Sequence, residues 1–253
     1  MTDPSISHIA LTVRDLPGMA AFYEAALGLQ AQGRDGEIRQ LFAGDDLLLE
    51  LRLDRLAQPR DPRQAGLFHT AFLLPERADL GRWLRHARAR DIALTGASDH
   101  GVSEALYLND PEGNGIEIFR DRAPAEWERE GDRIQMFTRR LDLQELSAAS
   151  PGDWQGIPQG SRIGHVHMQV GDLDRADDFF RGDLGLTRHF DGAGAAWYGW
   201  NGYHHHFAGN TWNSQGAGPR DMQMTGLAEI VIRDGARSGQ VLTDPWGTPF
   251  RFI

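Results

Sequence analysis

The stretch Ser7–Leu29, SHIALTVRDLPGMAAFYEAALGL, decides the fold, because Gly164–Leu186, GHVHMQVGDLDRADDFFRGDLGL, repeats it without a gap. His8 falls on His165, Val13 on Val170, Asp15-Leu16 on Asp172-Leu173, Phe22 on Phe179, and Leu27-Gly28-Leu29 on Leu184-Gly185-Leu186, all at an offset of 157. A constant offset marks an internal duplication. Each copy alternates apolar residues (Ile9, Leu11, Val13), as a half-buried strand does. Asp15 or Asp172 then offers a helix cap, and the apolar spacing through Phe22, Tyr23 and Leu27 predicts an amphipathic helix ending at Gly28.

Short alternating segments follow in each copy, Ile38–Phe42 and Leu47–Leu53 in the first, Ala195–Trp200 and Tyr203–Ala208 in the second. The unit therefore reads β-α-β-β-β. A second pair of units interleaves with the first. Gly66–Glu76 reads as a strand, Arg77–Arg90 as a helix with Leu80, Trp83, Leu84 and Ala87 on one face, and Asn109–Phe119, NDPEGNGIEIF, as the closing segment. The fourth unit opens at Gly226 and ends TDPWGTPFRFI, so that Asp244-Pro245 and Gly247 repeat Asp110-Pro111 and Gly113. Only Gly235–Gly239 is left for its helix, which is too short, so the fourth unit is expected to lack one. The expected class is α+β, with units one and two over 1–120, a crossover linker over 121–160, and units three and four over 161–253.

Composition narrows the function. The 253 residues, 40% of them apolar, can bury one large core or two small ones. The absence of cysteine excludes thiolate metal sites, disulfides and cysteine nucleophiles. The opening MTDPSISHIA carries no basic segment followed by an apolar run, and no apolar stretch reaches membrane-spanning length, so a soluble cytoplasmic protein is expected, without a membrane partner. The net charge is −10 and the basic residues are scattered, which argues against nucleic acid and for a small-molecule partner. A homo-oligomer is compatible with this surface.

Asn201–Trp212, NGYHHHFAGNTW, contains three consecutive histidines. On a strand, His204 and His206 would share one face and His205 the other, so all three cannot converge on one metal. Asn114-Gly115 and Asn201-Gly202 read as tight-turn signals. The tryptophans at 197, 200 and 212 suit either an aromatic pocket or a core.

Four β-α-β-β-β units, with LFHTAFLLPE at 67–76, DHGVSEALYLNDPEGNGIEIF at 99–119, GHVHMQV at 164–170 and YHHHFAGNTW at 203–212, resemble the vicinal oxygen chelate superfamily over nearly the whole chain. Within it, the resemblance is closest to two-domain catechol 2,3-dioxygenase-like proteins. The resemblance implies two cupped sheets, each built from two units, with inward positions on first and last strands meeting at one point. Unit one offers His8 and Glu50 there, unit two His69 and Glu117, unit three His165 and one of His204–His206, and unit four Glu229 and Arg251. A guanidinium cannot ligate a cation, which removes Arg251.

Two imidazoles and one carboxylate on one face of a metal leave adjacent positions open, the arrangement of non-haem Fe(II) oxygen chemistry. The resemblance thus implies His69 and Glu117 as ligands. The third is His8 if units one and two pair, or His165 if units two and three pair. The resemblance favours His165, because the extradiol dioxygenases that unit three resembles combine a first-strand histidine with a histidine-rich last strand, and only unit three has both here. Units one and four would then form a second cup with no credible metal site. The resemblance further implies that Tyr107, ten residues before Glu117, hydrogen-bonds the substrate, that His100 stands on the substrate side, and that His205 is the general acid–base, with His204 and His206 turned to packing or the pocket wall. The implied function is an Fe(II)-dependent extradiol dioxygenase acting on an aromatic diol with O2. The alternatives are a glyoxalase-like isomerase or transferase with Mn, Zn or Ni, and a metal-free binding protein of the bleomycin-resistance kind.

Overall fold

The computed structural model describes residues 3–32, 36–131 and 133–253; the first two residues of the N-terminal stretch read above lie outside these. Module one comprises β1 (Ser5–Val13), α1 (Leu16–Leu27), β2 (Gln30–Gln32), β3 (Ile38–Ala43) and β4 (Asp46–Leu53). Module two comprises β5 (Gly66–Leu73), α2 (Arg77–Ala89), β6 (Gly96–Asp99), β7 (Ser103–Asn109) and β8 (Gly115–Asp121). The crossover carries β9 (Arg129–Glu130), β10 (Arg133–Ile134), β11 (Arg139–Arg140) and α3 (Leu143–Ala148). Module three comprises β12 (Arg162–Gln169), α4 (Leu173–Asp177) running into a π-helical turn (Asp178–Asp183), β13 (Thr187–Gly192), β14 (Ala195–Gly199) and β15 (Phe207–Asn210). Module four has β16 (Gly226–Arg233), β17 (Val241–Thr243) and β18 (Pro249–Phe252), without a helix and with one strand fewer than the others.

The helix signals act where the sequence puts them. The Asp15 carboxylate accepts from Gly18 N–H at 3.0 Å, and Asp172 accepts from Arg175 N–H at 2.9 Å. Gly28 closes α1 in the left-handed region, φ 73°, where a Cβ would also meet Gly156 Cα at 2.4 Å.

Two sheets form, and each draws on both halves of the chain. Modules one and four make a seven-stranded sheet, order β17-β18-β16-β1-β4-β3-β2. Modules two and three, with one crossover strand, make a nine-stranded sheet, order β11-β6-β7-β8-β5-β12-β15-β14-β13. The sequence ranges 1–120 and 161–253 are thus each divided between the two sheets. Both sheets are α+β cups of one design. The first strands of two modules pair antiparallel at the centre, β1 with β16 and β5 with β12. Each first strand also pairs in parallel with the last strand of its own module: β1 with β4, β5 with β8, β12 with β15, β16 with β18. First- and last-strand residues of two modules therefore stand side by side on one concave face.

The modules lock together across the sheets. Tyr23 of α1 donates its hydroxyl to Asp110 Oδ2 at 2.9 Å, and Trp83 of α2 donates its indole N–H to Ala26 O at 2.9 Å, so modules one and two share helix packing while contributing to different sheets. Phe179 and Phe207 of module three pack on Phe250 of module four, centroids 5.0 and 5.6 Å apart. One continuous apolar cluster, from Ile9 and Leu11 through Phe72 and Trp83 to Phe250 and Phe252, joins both sheets.

Two local expectations are revised. Tyr203–Ala208 is a strand only from Phe207 onward. Asn201 and Gly202, φ 51° and 74°, make the tight turn, and the segment after it is bent as its three histidines find separate partners. Asn114-Gly115 is not a turn: Gly115 begins β8. A Cβ on it would lie 2.2 Å from Phe68 O and 2.9 Å from His69 Cβ, so glycine is required by the closeness of β5.

Candidate metal centre

The concave face of the larger sheet can be read in rows. One row runs across four strands as Tyr107, Glu117, Ala71 and His165, each paired with the next. The next row runs Gly115, His69, His167, Ala208, Trp197 and Phe190. Side chains two apart on a strand share a face, so both rows point into the same cup. Ala71 stands between Glu117 and His165, and Gly115 beside His69. A methyl and a hydrogen thus occupy the places where larger side chains would fill the space between the three polar groups.

These groups converge. His69 Nε2 lies 3.0 Å from Glu117 Oε2, His165 Nε2 lies 3.1 Å from the same oxygen, and the two Nε2 atoms are 3.3 Å apart. All three residues are buried. Among the described residues this is the one set of three potential ligands whose donor atoms lie within 4.8 Å of one another. Donors about 2.1 Å from a common cation and at right angles are about 3.0 Å apart, so the spacing fits one face of a metal coordination sphere.

A buried carboxylate stands between the two imidazoles. Burial alone would raise the Glu117 carboxyl, but His165 and His69 beside it hold it well below the ordinary carboxylate range. Burial lowers His165 against the pull of Glu117. His165 Nδ1 is buried without a hydrogen-bond partner.

Tyr107 and His100 stand together on one side. His100 Nδ1 is 2.9 Å from Phe137 O, which only accepts, so Nδ1 carries the hydrogen. Nε2 then accepts from the Tyr107 hydroxyl at 2.8 Å. Burial, then the adjacent Glu117 carboxylate, raise the Tyr107 phenol well above its ordinary value.

The histidine run is split three ways. His205 packs at a tilt against His165, centroids 4.1 Å apart, and faces the cup. His204 turns to Asp121 and is fully buried. His206 packs on Trp200 and Tyr203, and its Nδ1 accepts from Trp200 N–H at 3.2 Å. Burial, then His204, push it down to about 3.

His8, the alternative third ligand, lies in the other sheet, where ion pairs fill the corresponding cup. Arg52 binds Glu50 Oε1 and Glu229 Oε2, both at 2.7 Å, and Arg251 binds Glu229 Oε1 at 2.7 Å. The guanidinium of Arg251 holds the place that Glu117 holds in module two. Glu50 and Glu229 are therefore satisfied by the guanidinium groups of Arg52 and Arg251 rather than by a metal cation.

Sequence reasoning passed over His167. The repeat comparison sets it against Ala10, so nothing in the duplication singled it out. Its position two residues after His165 was the available signal, since strand neighbours at that interval share a face. Its ring stands 4.8 Å from that of His69, and Nε2 is 3.0 Å from Asn210 Nδ2. Burial, then His69 and His165, hold it well below its ordinary value.

Above these groups opens a cavity of about 470 Å³. Phe68, Phe190, Trp197 and Trp212 form an aromatic wall, and the crossover adds Met136 and Phe137. Of the three tryptophans left open by the sequence, 197 and 212 face the cavity, whereas Trp200 is core, its indole N–H donated to Leu184 O at 3.1 Å. Among the described residues, no lysine or arginine lines the cavity.

The profile of the Glyoxalase/Bleomycin resistance protein/Dioxygenase superfamily matches residues 5–118. A catechol-2,3-dioxygenase from Bacillus subtilis is 36% identical over 237 residues, covering 91% of this chain and 82% of that protein. The chain belongs to this superfamily. A biphenyl-2,3-diol 1,2-dioxygenase from Rhodococcus globerulus is 29% identical over 124 residues, 47% of this chain and 64% of the relative. Among solved structures, glyoxalase I from Zea mays superposes with a TM-score of 0.59 at 14% identity, over 99% of this chain and 92% of its own, a likeness of fold. Among the described residues, no helix is long and apolar enough to cross a membrane.

Proposed function

We propose that the chain is an Fe(II)-dependent extradiol dioxygenase that opens an aromatic diol with O2. One observation carries this reading: His69, His165 and Glu117 present three donor atoms at 3.0 to 3.3 Å separations at the floor of an aromatic cavity. The relatedness to a catechol-2,3-dioxygenase over 91% of the chain supports it.

His69, His165 and Glu117 would hold the metal, and no fourth acidic or thiolate donor joins them among the described residues. Bound there, ferrous iron supplies Lewis acidity toward the diol oxygens and electronic coupling between diol and dioxygen. The protein's part is positioning and proton handling. Phe68, Trp197 and Trp212 offer faces for the ring and exclude water from it. Tyr107 brings a neutral hydroxyl beside Glu117, suited to steadying a substrate oxygen as its charge develops. Burial, then His165 and His204, hold His205 well below the ordinary histidine value, so it enters the reaction neutral and able to accept and return a proton. The cavity suits a diol whose other substituents are apolar and uncharged.

The test is anaerobic loading with Fe(II), followed by catechol or 2,3-dihydroxybiphenyl and air. Stoichiometric oxygen uptake with a yellow ring-opened product is expected. Tight iron retention with no oxygen uptake on any diol would move the reading to the isomerase class.

A further inference from the structure

We infer that Asp121 and His204 form a positioning pair that fixes the ring tautomer of His205. The inference rests on the proposed role of His205 in ring cleavage. It concerns residues outside the three-donor set.

Asp121 ends β8 and His204 lies in the bent segment before β15, so the two meet where modules two and three adjoin. His204 Nε2 lies 2.8 Å from Asp121 Oδ1, and the Tyr203 hydroxyl donates to Asp121 Oδ2 at 2.8 Å. The His204 ring is held between Tyr203 and Trp127, centroids 4.1 and 5.1 Å away, and its side chain is wholly buried. On the far side, His204 Nδ1 lies 2.7 Å from His205 Nδ1. The carboxylate, two imidazoles and the cavity thus form one chain of contacts.

Hydrogen counting orders that chain. A carboxylate only accepts, so His204 Nε2 carries a hydrogen. With that as the ring's single hydrogen, Nδ1 is bare. A bond between two ring nitrogens needs one hydrogen, and it must come from His205 Nδ1. His205 Nε2 is left as the bare nitrogen of the ring that faces the cavity. Without His204, nothing on the Nδ1 side would favour this tautomer over the other. The Tyr203 bond keeps the carboxylate oriented, and the two aromatic neighbours keep His204 from turning. On the opposite side of the cup, a carbonyl does for His100 what Asp121 and His204 do for His205.

The test begins with the metal-free full chain, its histidines labelled with 15N and the His205 signals assigned by comparison with H205N. Long-range proton–nitrogen correlation should show His205 protonated at Nδ1 and bare at Nε2. His204→Phe keeps the ring between Tyr203 and Trp127 but removes both nitrogens. It should shift His205 toward a tautomer mixture and lower kcat about 10- to 100-fold at unchanged KM and iron content. His204→Asn places a carbonyl oxygen near the site of Nδ1 and should restore the Nδ1–H form and most of kcat. A wild-type His205 protonated at Nε2, or an H204F variant with full kcat, would overturn the inference. So would an H204N variant as impaired as H204F. A chain inactive toward every diol but with His205 in the Nδ1–H form would remove the ring-cleavage reading and leave the tautomer assignment standing.

Discussion

His69 and His165, on antiparallel neighbouring strands, bring their Nε2 atoms to 3.3 Å, with Glu117 Oε2 within 3.1 Å of each. Three acceptor-capable atoms packed so closely and away from water need a shared positive charge, either a proton or a cation. Glu117→Ala removes the only negative charge of the set. Iron should fall from about one per chain to trace levels after desalting, with affinity lower by more than about 100-fold. Elemental analysis of the purified variant reads this directly; full activity in E117A would end the metal assignment.

His8 and His165 occupy equivalent positions in the two copies of the repeat, so a paired substitution separates them. His165→Ala should lose iron and oxygen uptake together. His8→Ala should keep both within about two-fold, because His8 adjoins the Glu50 and Glu229 carboxylates of the other cup. Metal content and oxygen-electrode rates on the two variants check the prediction.

Ala71 sits between Glu117 and His165 with no exposed surface. Ala71→Leu fills the space that a cation would take. Overpacking of this kind costs about 1–3 kcal/mol. The variant should still fold, melt several degrees lower and bind no iron. Retention of stoichiometric iron in A71L would show that the metal sits elsewhere.

His206 links stability to pH. Its folded value is pushed down to about 3, against about 6.5 in an unfolded chain. The unfolded state therefore binds the extra proton between those two values. The stabilisation is complete above pH 6.5 and is lost as the pH falls toward 3, by up to about 1.4 kcal/mol per pH unit. Protonation also destroys the Nδ1 acceptor used by Trp200 N–H. His206→Asn, which keeps an acceptor there but does not titrate, should flatten the acid limb of denaturation midpoints measured from pH 7 to pH 4.

Much of this was legible in the chain. The repeat at Ser7 and Gly164 predicted the modules, and the Asp110/Asp244 echo located the fourth one without its helix. The pairing of modules two with three could be argued from His165 and the histidine run, because a chemistry that needs several imidazoles needs them on one sheet. What the repeat could not carry were features that break it. His167 has alanine as its counterpart, and Trp200, just past the end of β14, turns to the core while Trp197 on the strand faces the cavity. The crossover was legible as a linker but not as a cavity wall, since Met136 and Phe137 reach the cup through the β11–β6 pairing, a long-range contact without periodicity. The path of His204 to Asp121 depends on a bend after Asn201-Gly202, and strand alternation does not describe bends.

The nesting of modules, two with three inside one with four, also sets a timetable for synthesis. When residue 120 leaves the ribosome, β1 still lacks β16 and β5 still lacks β12, so neither sheet has its central pair. The inner sheet can close once β15 has emerged, whereas the outer one waits for β18, Pro249–Phe252. Two of the three donors therefore remain without the third until β12 has emerged, and loss of β1 or β18 opens the outer sheet first.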